Sequence, residues 1–359
     1  MIDNEKGQNK KKTSKKLIAV FIILGFLIVI AGALVGTFIA MRTIGKRSME
    51  NRRQEATVAF DEAYDNETGL SFEDGRIKYN GSVYEFNNEV STFLFVGVDS
   101  PELSHEDGAV ADSGLADTIL IAVLNEAEKS LRIIPVDRNS ITEIEIYNSF
   151  GESVGTSMAQ IAYAYAYGDG KELSCDHTAD VVSEFLYGIP VHAYFAMPWS
   201  VISDVNDSVG GVTVELTEDM PLYNGKKTIE YKKGDTVRLR GALAESYLKA
   251  RQGVGDGSNA GRMSRQKNYL SLLIEKAKSA FFKDVTLVVD IYKIIKDKTC
   301  TDLTESEMIY LATLLTDLNI EFLSIPGRTE TDGEYDKFYA DGERLLELVL
   351  DVFYLPISS

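Results

Sequence analysis

Four basic side chains fall within a short, glycine-rich stretch of a chain whose formal net charge is -18. Lys249, Arg251, Arg262 and Arg265 lie within seventeen positions, and Asp256 is the one acidic residue among them. Arg and Lys side chains that converge on a loop with exposed backbone N–H groups bind phosphate oxygens. The stretch therefore predicts a phosphate site. The alternative is two solvated helix faces joined by a flexible turn.

Helices on both sides of the glycine-rich stretch are expected to position these cations. Residues 241–249 and 262–282 carry apolar residues at helical spacing, whereas the glycines between them favour a loop. A helix end, a loop and a second helix start would bring the four basic residues toward one place.

Two aspartates border an acidic loop between predicted strands. Asp99 ends the first strand and Asp117 begins the next, so both are expected at the sheet edge where open α/β sheets bind ligands. Carboxylate, water and phosphate oxygens are the ligands that Mg²⁺ prefers. The pair predicts a Mg²⁺ site, with a merely solvated acidic loop as the alternative. Arg138, at the end of a third strand, is able to reach the same crevice.

The surrounding pattern predicts a three-layer α/β/α sandwich. Apolar runs at 91–98, 118–124 and 131–136 have strand length and no polar face, which is typical of central strands covered by helices on both sides. The predicted helices cover residues 158–167, 178–187, 198–205, 241–249, 262–282 and 306–318.

The N-terminal region predicts one membrane anchor. Residues 17–40 contain no charged side chain, and a helix needs roughly twenty apolar residues to span a bilayer. Residues 1–16 carry a formal charge of +4, and the rest of the chain carries -22. The basic segment is expected to stay cytoplasmic, so the remainder would be extracellular. The alternative, a cleaved signal peptide, normally has an apolar region of about 7–15 residues.

These observations divide the chain into a cytoplasmic basic tail (1–16), a transmembrane anchor (17–41), an extracellular stalk (42–90) and a catalytic domain (91–354). The acidic body disfavours nucleic-acid binding. The three histidines have no zinc-ligand spacing. Cys175 and Cys300 are expected on the outer side, where a disulfide between them is possible.

In this order, the motifs resemble those of the LytR-CpsA-Psr (LCP) family of membrane-anchored phosphotransferases, in its clostridial type. The resemblance covers about residues 91–354. It rests on Leu-Phe-Val-Gly-Val-Asp at 94–99, Ala-Asp-Thr-Ile-Leu at 116–120, Ile-Pro-Val-Asp-Arg-Asn-Ser at 134–140, the segment 205–212, the segment 249–266 and the C-terminal segments 322–327 and 346–354.

The resemblance implies a function in the bacterial envelope. It implies transfer of an anionic glycopolymer from a polyprenyl (pyro)phosphate carrier to peptidoglycan, as a phosphodiester, outside a Gram-positive cell membrane. By position, Asp99 and Asp117 would be associated with Mg²⁺, and an apolar pocket would hold the polyprenyl tail. The implied phosphate contacts are Arg138, Lys249, Arg251, Arg262, Arg265 and Gln266. Arg138 and Arg251 would be catalytic, and Asp256 is a candidate general base.

The chain departs from the family pattern at three places. Asn139-Ser140 follows Arg138 where the family commonly has Asp-Thr, Leu115-Ala116 replaces a frequent Arg-Ser pair, and Lys249 replaces an Arg. Asn139 cannot accept a proton as a carboxylate does, and Lys249 lacks the bidentate fork of Arg. Two alternatives follow: a lipid-phosphate-binding scaffold or regulator with little turnover, and a polyprenyl pyrophosphatase.

Overall fold

The structure is a computed structural model that describes residues 36–56, 58, 64–65, 70–73, 76–100, 102–103, 114–148, 150–251, 253–284, 286–332 and 335–357. The predicted basic tail and most of the predicted anchor lie outside these residues. Within the described ranges, no helix combines the length and the apolar composition needed to cross a bilayer.

Among the described residues, one N-terminal helix is followed by nine strands in succession, and helices mix with strands only after residue 162. The helices are α1 (residues 36–55), α2 (Tyr163–Ala166), α3 (Glu172–Phe185), α4 (Trp199–Ser208), α5 (Ala242–Lys249), α6 (Asn259–Lys283), α7 (Leu287–Ile295), α8 (Glu305–Leu315) and α9 (Gly342–Phe353). The strands are β1 (Tyr64–Asp65), β2 (Leu70–Glu73), β3 (Arg76–Tyr79), β4 (Ser82–Phe86), β5 (Val90–Val98), β6 (Ala116–Asn125), β7 (Ser130–Val136), β8 (Ile141–Tyr147), β9 (Ser153–Gln160), β10 (Ala193–Pro198), β11 (Thr213–Glu215), β12 (Met220–Tyr223), β13 (Thr228–Tyr231), β14 (Thr236–Arg238), β15 (Cys300–Thr301), β16 (Asn319–Phe322), β17 (Gly327–Asp332), β18 (Tyr335–Ala340) and β19 (Tyr354–Ile357).

The central sheet has six strands in the order β15-β10-β5-β6-β7-β16. Strand β5 pairs parallel to β10 and antiparallel to β6, and β7 pairs parallel to β16. The sheet is therefore mixed, as expected, and its three central apolar strands coincide with the predicted ones. Because β5 and β6 are antiparallel, the C-terminal end of β5 lies beside the start of β6, which places Asp99 and Asp117 at one edge.

The two faces of the sheet have different surroundings. On β5, Leu94, Val96 and Val98 point into the largest hydrophobic core, which includes side chains of α3 and α9. Phe93 and Phe95 point to the opposite face, which looks toward helices α4 to α8. This alternation is the period of two that a strand imposes on its side chains.

A second, smaller core positions the basic helices. Trp199 from α4, Leu239, Tyr247 from α5 and Tyr269 from α6 pack together with the strands β11 to β14. The buried Asn206 binds this unit through its side chain, which accepts hydrogen bonds from the Val212 N–H and the Tyr269 hydroxyl, at 3.0 and 3.1 Å. Asn206 thereby connects α4 with α6 and with the residue before β11.

Part of the segment expected to form a stalk packs against the body. Met49 of α1 is buried, and Arg52 of α1 forms ion pairs with Asp302 at 2.6 Å and with Glu307 at 2.7 Å. Further on, β3 and β4 form a sheet with the C-terminal strand β19. Ile77 of β3 belongs to the main core. Sequence patterning missed these contacts because their partners lie more than 100 residues away.

One predicted helix is wrong at its start. Residues 158–160 belong to β9, which pairs with β8 as a hairpin, and the helix α2 begins only at Tyr163. Ala, Met and Gln favour a helix, but pairing across the hairpin overrides this local propensity. Helices α7 and α9 were not among the predicted helices. The other five predicted helices overlap α3, α4, α5, α6 and α8.

Candidate functional site

Asp117 forms the centre of a buried charge cluster. It lies at the second position of β6, and one carboxylate oxygen contacts the guanidinium of Arg138. The other oxygen accepts a hydrogen bond from Arg262 Nη1 at 3.1 Å. Arg262 also donates from Nη2 to the Asn259 side chain at 2.8 Å. One carboxylate thus faces two guanidinium groups, which leaves an excess of positive charge.

Lys249 and Asp99 form the exposed border of this cluster. Lys249, the last residue of α5, places its Nζ 3.6 Å from Asp99 Oδ1 and 3.6 Å from Glu245 Oε1. The Asp99 side chain is 52% exposed. The two residues therefore remain available to a ligand that arrives from solvent.

Arg251 lies in the loop after α5 and is held on two sides. Its Nε donates to the Gly257 carbonyl at 3.0 Å, and its Nη2 donates to Asp336 Oδ2 at 3.1 Å. Asp336 belongs to β18, in the hairpin that β17 and β18 form near the C-terminus. The guanidinium is 39% exposed and raises the positive potential at Arg138 and Arg262.

Arg265 and Gln266 follow on the first turns of α6 but have different environments. Arg265 is buried, pairs with Glu218 at 2.7 Å and contacts the Ala250 carbonyl. Its contacts tie the loop to the second core. The Gln266 amide accepts from the Thr118 hydroxyl at 3.4 Å, so this side chain lies beside the start of β6.

The glycine-rich loop is an ordered connection between α5 and α6. Val254 is buried in the second core, and Ser258 caps α6 by accepting the Gly261 N–H at 3.0 Å. Asp256 accepts the Ser258 N–H at 2.9 Å, and its hydrogen bonds to Ser258 lower the pKa of the Asp256 carboxyl. A lowered pKa makes this carboxylate a weaker base. The geometry gives Asp256 a structural role instead, because its hydrogen bond to Ser258 forms a turn.

Burial and mutual repulsion destabilise the charged forms of the arginines in the cluster. Desolvation, followed by the charge of Arg262, lowers the pKa of Arg138 to about 10, while Asp99 opposes the shift. Desolvation and the charge of Arg251 also lower the pKa of Arg262. A bound anion stabilises the charged form of guanidinium groups whose pKa is lowered in this way. The electrostatics therefore favour a bound phosphate.

An apolar cavity of about 470 Å³ begins beside the charge cluster. It lies between the sheet face that carries Phe93 and Phe95 and the helices α4 to α8, and almost all of its wall is apolar. Gln266 lines both this cavity and the smaller cleft that contains Asp117 and Arg138. The polar site and the apolar cavity are therefore adjacent.

The structure brings together Asp99, Asp117, Arg138, Lys249, Arg251, Arg262 and Gln266, and it uses Arg265 and Asp256 mainly within the fold. Sequence reasoning missed three partners of the predicted cations: Asp336, Glu218 and Asn259. Asp336 and Glu218 are acidic residues outside the segments that carry the motifs. Asn259 is followed at i+3 by Arg262 on the same helix, so helical spacing alone was a usable signal.

The unusual residues after Arg138 face away from the charge cluster. Asn139 is buried, and its side-chain oxygen accepts a hydrogen bond from Gln160 at 3.3 Å, while its backbone carbonyl accepts the Phe338 N–H at 2.9 Å. Ser140 is also buried and pairs with Phe338 as an isolated bridge. Both residues thus connect the β8–β9 and β17–β18 hairpins.

The carboxylates suit a Mg²⁺ ion that is bound together with a phosphate. Mg²⁺ takes one or two carboxylates and completes its shell with water and phosphate oxygens. Asp99 is exposed, and each Asp117 oxygen has lone pairs beyond its guanidinium contact. The described residues contain no group of three or more His, Cys, Asp or Glu side chains that would hold a metal ion by themselves.

Known proteins resemble this chain in sequence. Polyisoprenyl-teichoic acid–peptidoglycan teichoic acid transferase TagU of Bacillus licheniformis is 29% identical over 222 residues, which span 62% of this chain and 63% of that protein. The chain thus spans less than two thirds of that relative. TagV of Bacillus subtilis, which carries the same transferase description, is 26% identical over 288 residues, or 78% of this chain and 67% of TagV.

Solved structures show the same fold. The crystal structure of Bacillus subtilis TagV superposes with a TM-score of 0.57 at 23% identity and covers 73% of this chain and 96% of that one. Protein gbs0355 of Streptococcus agalactiae gives 0.61 at 18% identity and covers 74% and 86%. The sequence profile of the LytR_cpsA_psr family matches residues 50–350. Since this match spans most of the chain, the protein belongs to the LytR_cpsA_psr family.

Proposed function

We propose that this protein transfers an anionic cell-wall glycopolymer from a polyprenyl (pyro)phosphate carrier to peptidoglycan. The observation that carries the proposal is the junction at Gln266, where a cationic cluster meets an apolar cavity. A lipid-linked phosphate has the same two parts, an anion and a long apolar chain. The transferase names of TagU and TagV support the same reaction class.

The cationic residues would act by positioning and by charge. Phosphoryl transfer demands mainly in-line placement and cations around the transferring oxygens. Arg138, Arg251 and Lys249 would contact the phosphate, and Asp117 would hold Arg138 and Arg262 in place. Because the pKa of Arg138 is lowered, an incoming anion would stabilise the charged form of this guanidinium. These contacts would therefore direct the free energy of binding to the phosphate group that reacts.

Asp99 and Asp117 would hold a Mg²⁺ ion at the phosphate. Such an ion would supply positive charge that neutralises the phosphate together with the arginines. Asp99 is the more accessible of the two, and its ion pair with Lys249 would be exchanged for the ligand. The apolar cavity would take the first isoprene units, which excludes water around the reacting phosphate.

We place the catalytic body outside the cell, attached by the apolar segment 17–41 with its basic flank in the cytoplasm. This arrangement gives the site access to carrier lipids in the outer leaflet and to peptidoglycan. The acidic composition of residues 42–359 gives no basic surface for nucleic acid.

A transfer assay tests the function. The full chain, in detergent micelles with Mg²⁺, would be incubated with a radiolabelled teichoic acid precursor on a polyprenyl pyrophosphate and with purified peptidoglycan. We expect label in the peptidoglycan that resists lipid extraction. Arg251→Ala should lower the transfer rate by about 10²–10³-fold, which is typical of losing one preorganised donor to a transition-state charge. Arg328→Ala is the control, because Arg328 is exposed and contacts Glu330 at 2.8 Å and the Tyr339 ring, both within its own hairpin.

The same assay separates the alternatives. Lipid binding without label transfer would indicate a scaffold or regulator. Phosphate release at equal rates with and without peptidoglycan would indicate a pyrophosphatase. An Arg251→Ala variant with the wild-type transfer rate would refute the assigned site.

A further inference from the structure

Asp336 lies between the C-terminal segments 322–327 and 346–354 and belongs to neither, and its carboxylate contacts a residue of the cationic cluster. Its Oδ2 accepts a hydrogen bond from Arg251 Nη2 at 3.1 Å, and its side chain is 20% exposed. Its other oxygen accepts the Thr331 hydroxyl at 2.9 Å, across the β17–β18 hairpin. The Thr331 hydrogen bond therefore holds the carboxylate on its own hairpin, independently of the contact with Arg251.

The β17–β18 hairpin is attached to the connection between β7 and β8 that carries Arg138. Gln160 donates to the Asp336 carbonyl at 2.8 Å, and Phe338 donates from its backbone to the Asn139 carbonyl at 2.9 Å. Asn139 directly follows Arg138 in sequence. The hairpin thus sets the position of Asp336 relative to both guanidinium groups.

Arg251 needs such a partner for two physical reasons. It lies in a loop, where a long Arg side chain loses about 2 kcal/mol of rotamer entropy on being fixed. It is also repelled by the neighbouring charges of Arg138 and Arg262, whose pKa values it lowers. The Gly257 carbonyl fixes one nitrogen at 3.0 Å, and Asp336 fixes a second. The third nitrogen, Nη1, makes no hydrogen bond to another residue that the structure describes.

We propose that Asp336 is a positioning residue of the site, which holds Arg251 so that its Nη1 is presented to the donor phosphate. The proposal rests on the proposed function for the role of Arg251, and it extends the site to a hairpin near the C-terminus. Asp336 does not touch the phosphate. It acts through Arg251, so its effect must vanish when Arg251 is absent.

A double-mutant cycle tests this dependence. Binding of farnesyl pyrophosphate to the full chain would be measured by calorimetry for Arg251→Ala, Asp336→Ala and the double variant. A charge-assisted hydrogen bond is worth roughly 1.5–3 kcal/mol, so Arg251→Ala should weaken binding by about tenfold to a hundredfold. Asp336→Ala should weaken it by about tenfold, whereas the double variant should match Arg251→Ala within about twofold.

Conservative variants separate positioning from a simple charge effect. Asp336→Asn keeps an acceptor oxygen at the same place and should retain binding within about threefold of the wild type. Glu330→Gln is the control, because this exposed residue of the same hairpin contacts Arg328 and not the site. If Asp336 acted only through its negative charge, both the Asn and the Ala variants would bind the anion more tightly, and the proposal would be overturned.

Transfer kinetics then distinguish the two proposals from each other. We expect Asp336→Ala to lower kcat for glycopolymer transfer more than it raises KM. Coupled binding effects without any transfer by the wild type would contradict the proposed function and leave the positioning role intact. Additive effects of the two Ala substitutions, in a protein that transfers glycopolymer, would contradict the positioning role alone. A wild type that binds no pyrophosphate would contradict both.

Discussion

The carboxylate of Asp117 neutralises two guanidinium groups in a part of the site that is almost closed to water. The Asp117 and Arg262 side chains are 7% and 6% exposed, and Arg138 is 16% exposed. Removing one partner of such a buried group leaves uncompensated charge, which costs far more than losing a surface ion pair. The cluster therefore has a structural role as well as a binding role.

Asp117→Ala should lower the free energy of unfolding by about 3–5 kcal/mol, because Arg138 and Arg262 would face each other without a counter-charge. Chemical denaturation measures this change. Pyrophosphate should stabilise the variant by replacing part of the lost charge. Asp99→Ala is the control and should cost less than about 1 kcal/mol, since Asp99 is exposed. Equal costs for the two variants would contradict the described cluster.

At this scale, the sequence identified the cations better than their partners. Lys249, Arg251 and Arg262 stand out because basic residues are few and clustered in an acidic chain. Asp336 and Glu218 do not stand out, since 55 acidic residues offer too many candidates. Their selection depends on long-range packing, which brings residue 336 to residue 251.

At the scale of elements, helix α1 packs directly against helix α8. Its side chains contact three positions on one face of α8: Arg52 pairs with Glu307, Arg42 stacks over Tyr310 at 5.8 Å, and Arg42 Nε donates to Thr313 at 3.0 Å. Positions three apart on a helix share one face. Close approach is possible because Gly45 faces the Ser306 carbonyl at the start of α8.

Gly45→Ala should separate α1 from α8, because a Cβ at this position would overlap the Ser306 backbone. We expect a loss of about 1–3 kcal/mol of unfolding free energy, typical of overpacking. Hydrogen exchange should show faster exchange in α1. Gly36→Ala is the matched control, since the same addition at residue 36 meets no atom within 4 Å. Equal stability of the two variants would argue against this packing.

The elements also show where sequence patterns fail. The apolar strands β5, β6 and β7 were predicted because burial on both faces produces continuous apolar runs. β9 was predicted partly as helix, since residues 153–160 are mostly exposed and carry no strand alternation. The packing of residues 76–86 with β19 was missed because the partner lies some 270 residues later, and no local rule reports such pairing.

Across the whole molecule, the cavity between sheet and helices is the feature that would give the proposed site its specificity for lipid-linked phosphate. Ala312→Trp would fill part of this cavity, since Ala312 lines its wall. We expect at least about tenfold weaker binding of a long-chain polyprenyl pyrophosphate, because each buried CH₂ is worth about 0.8 kcal/mol. Binding of inorganic pyrophosphate should not change. Leu272→Trp, on the exposed side of α6, is the control.

The stability of the whole domain should depend on the neutral form of His192. Its Nδ1 accepts the Thr92 N–H at 3.0 Å, and burial lowers the pKa of His192 from 6.5 to about 4. As the pH falls below 6.5, the unfolded chain takes up a proton before the folded chain does. The contribution of this histidine is therefore fully present above pH 6.5 and is lost between pH 6.5 and 4, by about 3 kcal/mol.

Urea denaturation between pH 7 and pH 4 measures this dependence against a variant. His192→Asn retains an acceptor for Thr92 but does not titrate, so its stability should fall less steeply over the same range. Parallel slopes for the two proteins would show that His192 does not control the acid sensitivity.

Helix α8 separates α1 from the cavity. Glu307, Tyr310 and Thr313 face α1, whereas Leu311 and Leu315, on the other side of the same helix, line the cavity wall. In the proposed membrane-anchored arrangement, a mechanical load at residue 36 would pass through this one helix before it reaches the compartment that would contain the isoprenoid. Tension between the cell envelope and the bilayer would act on the width of that compartment.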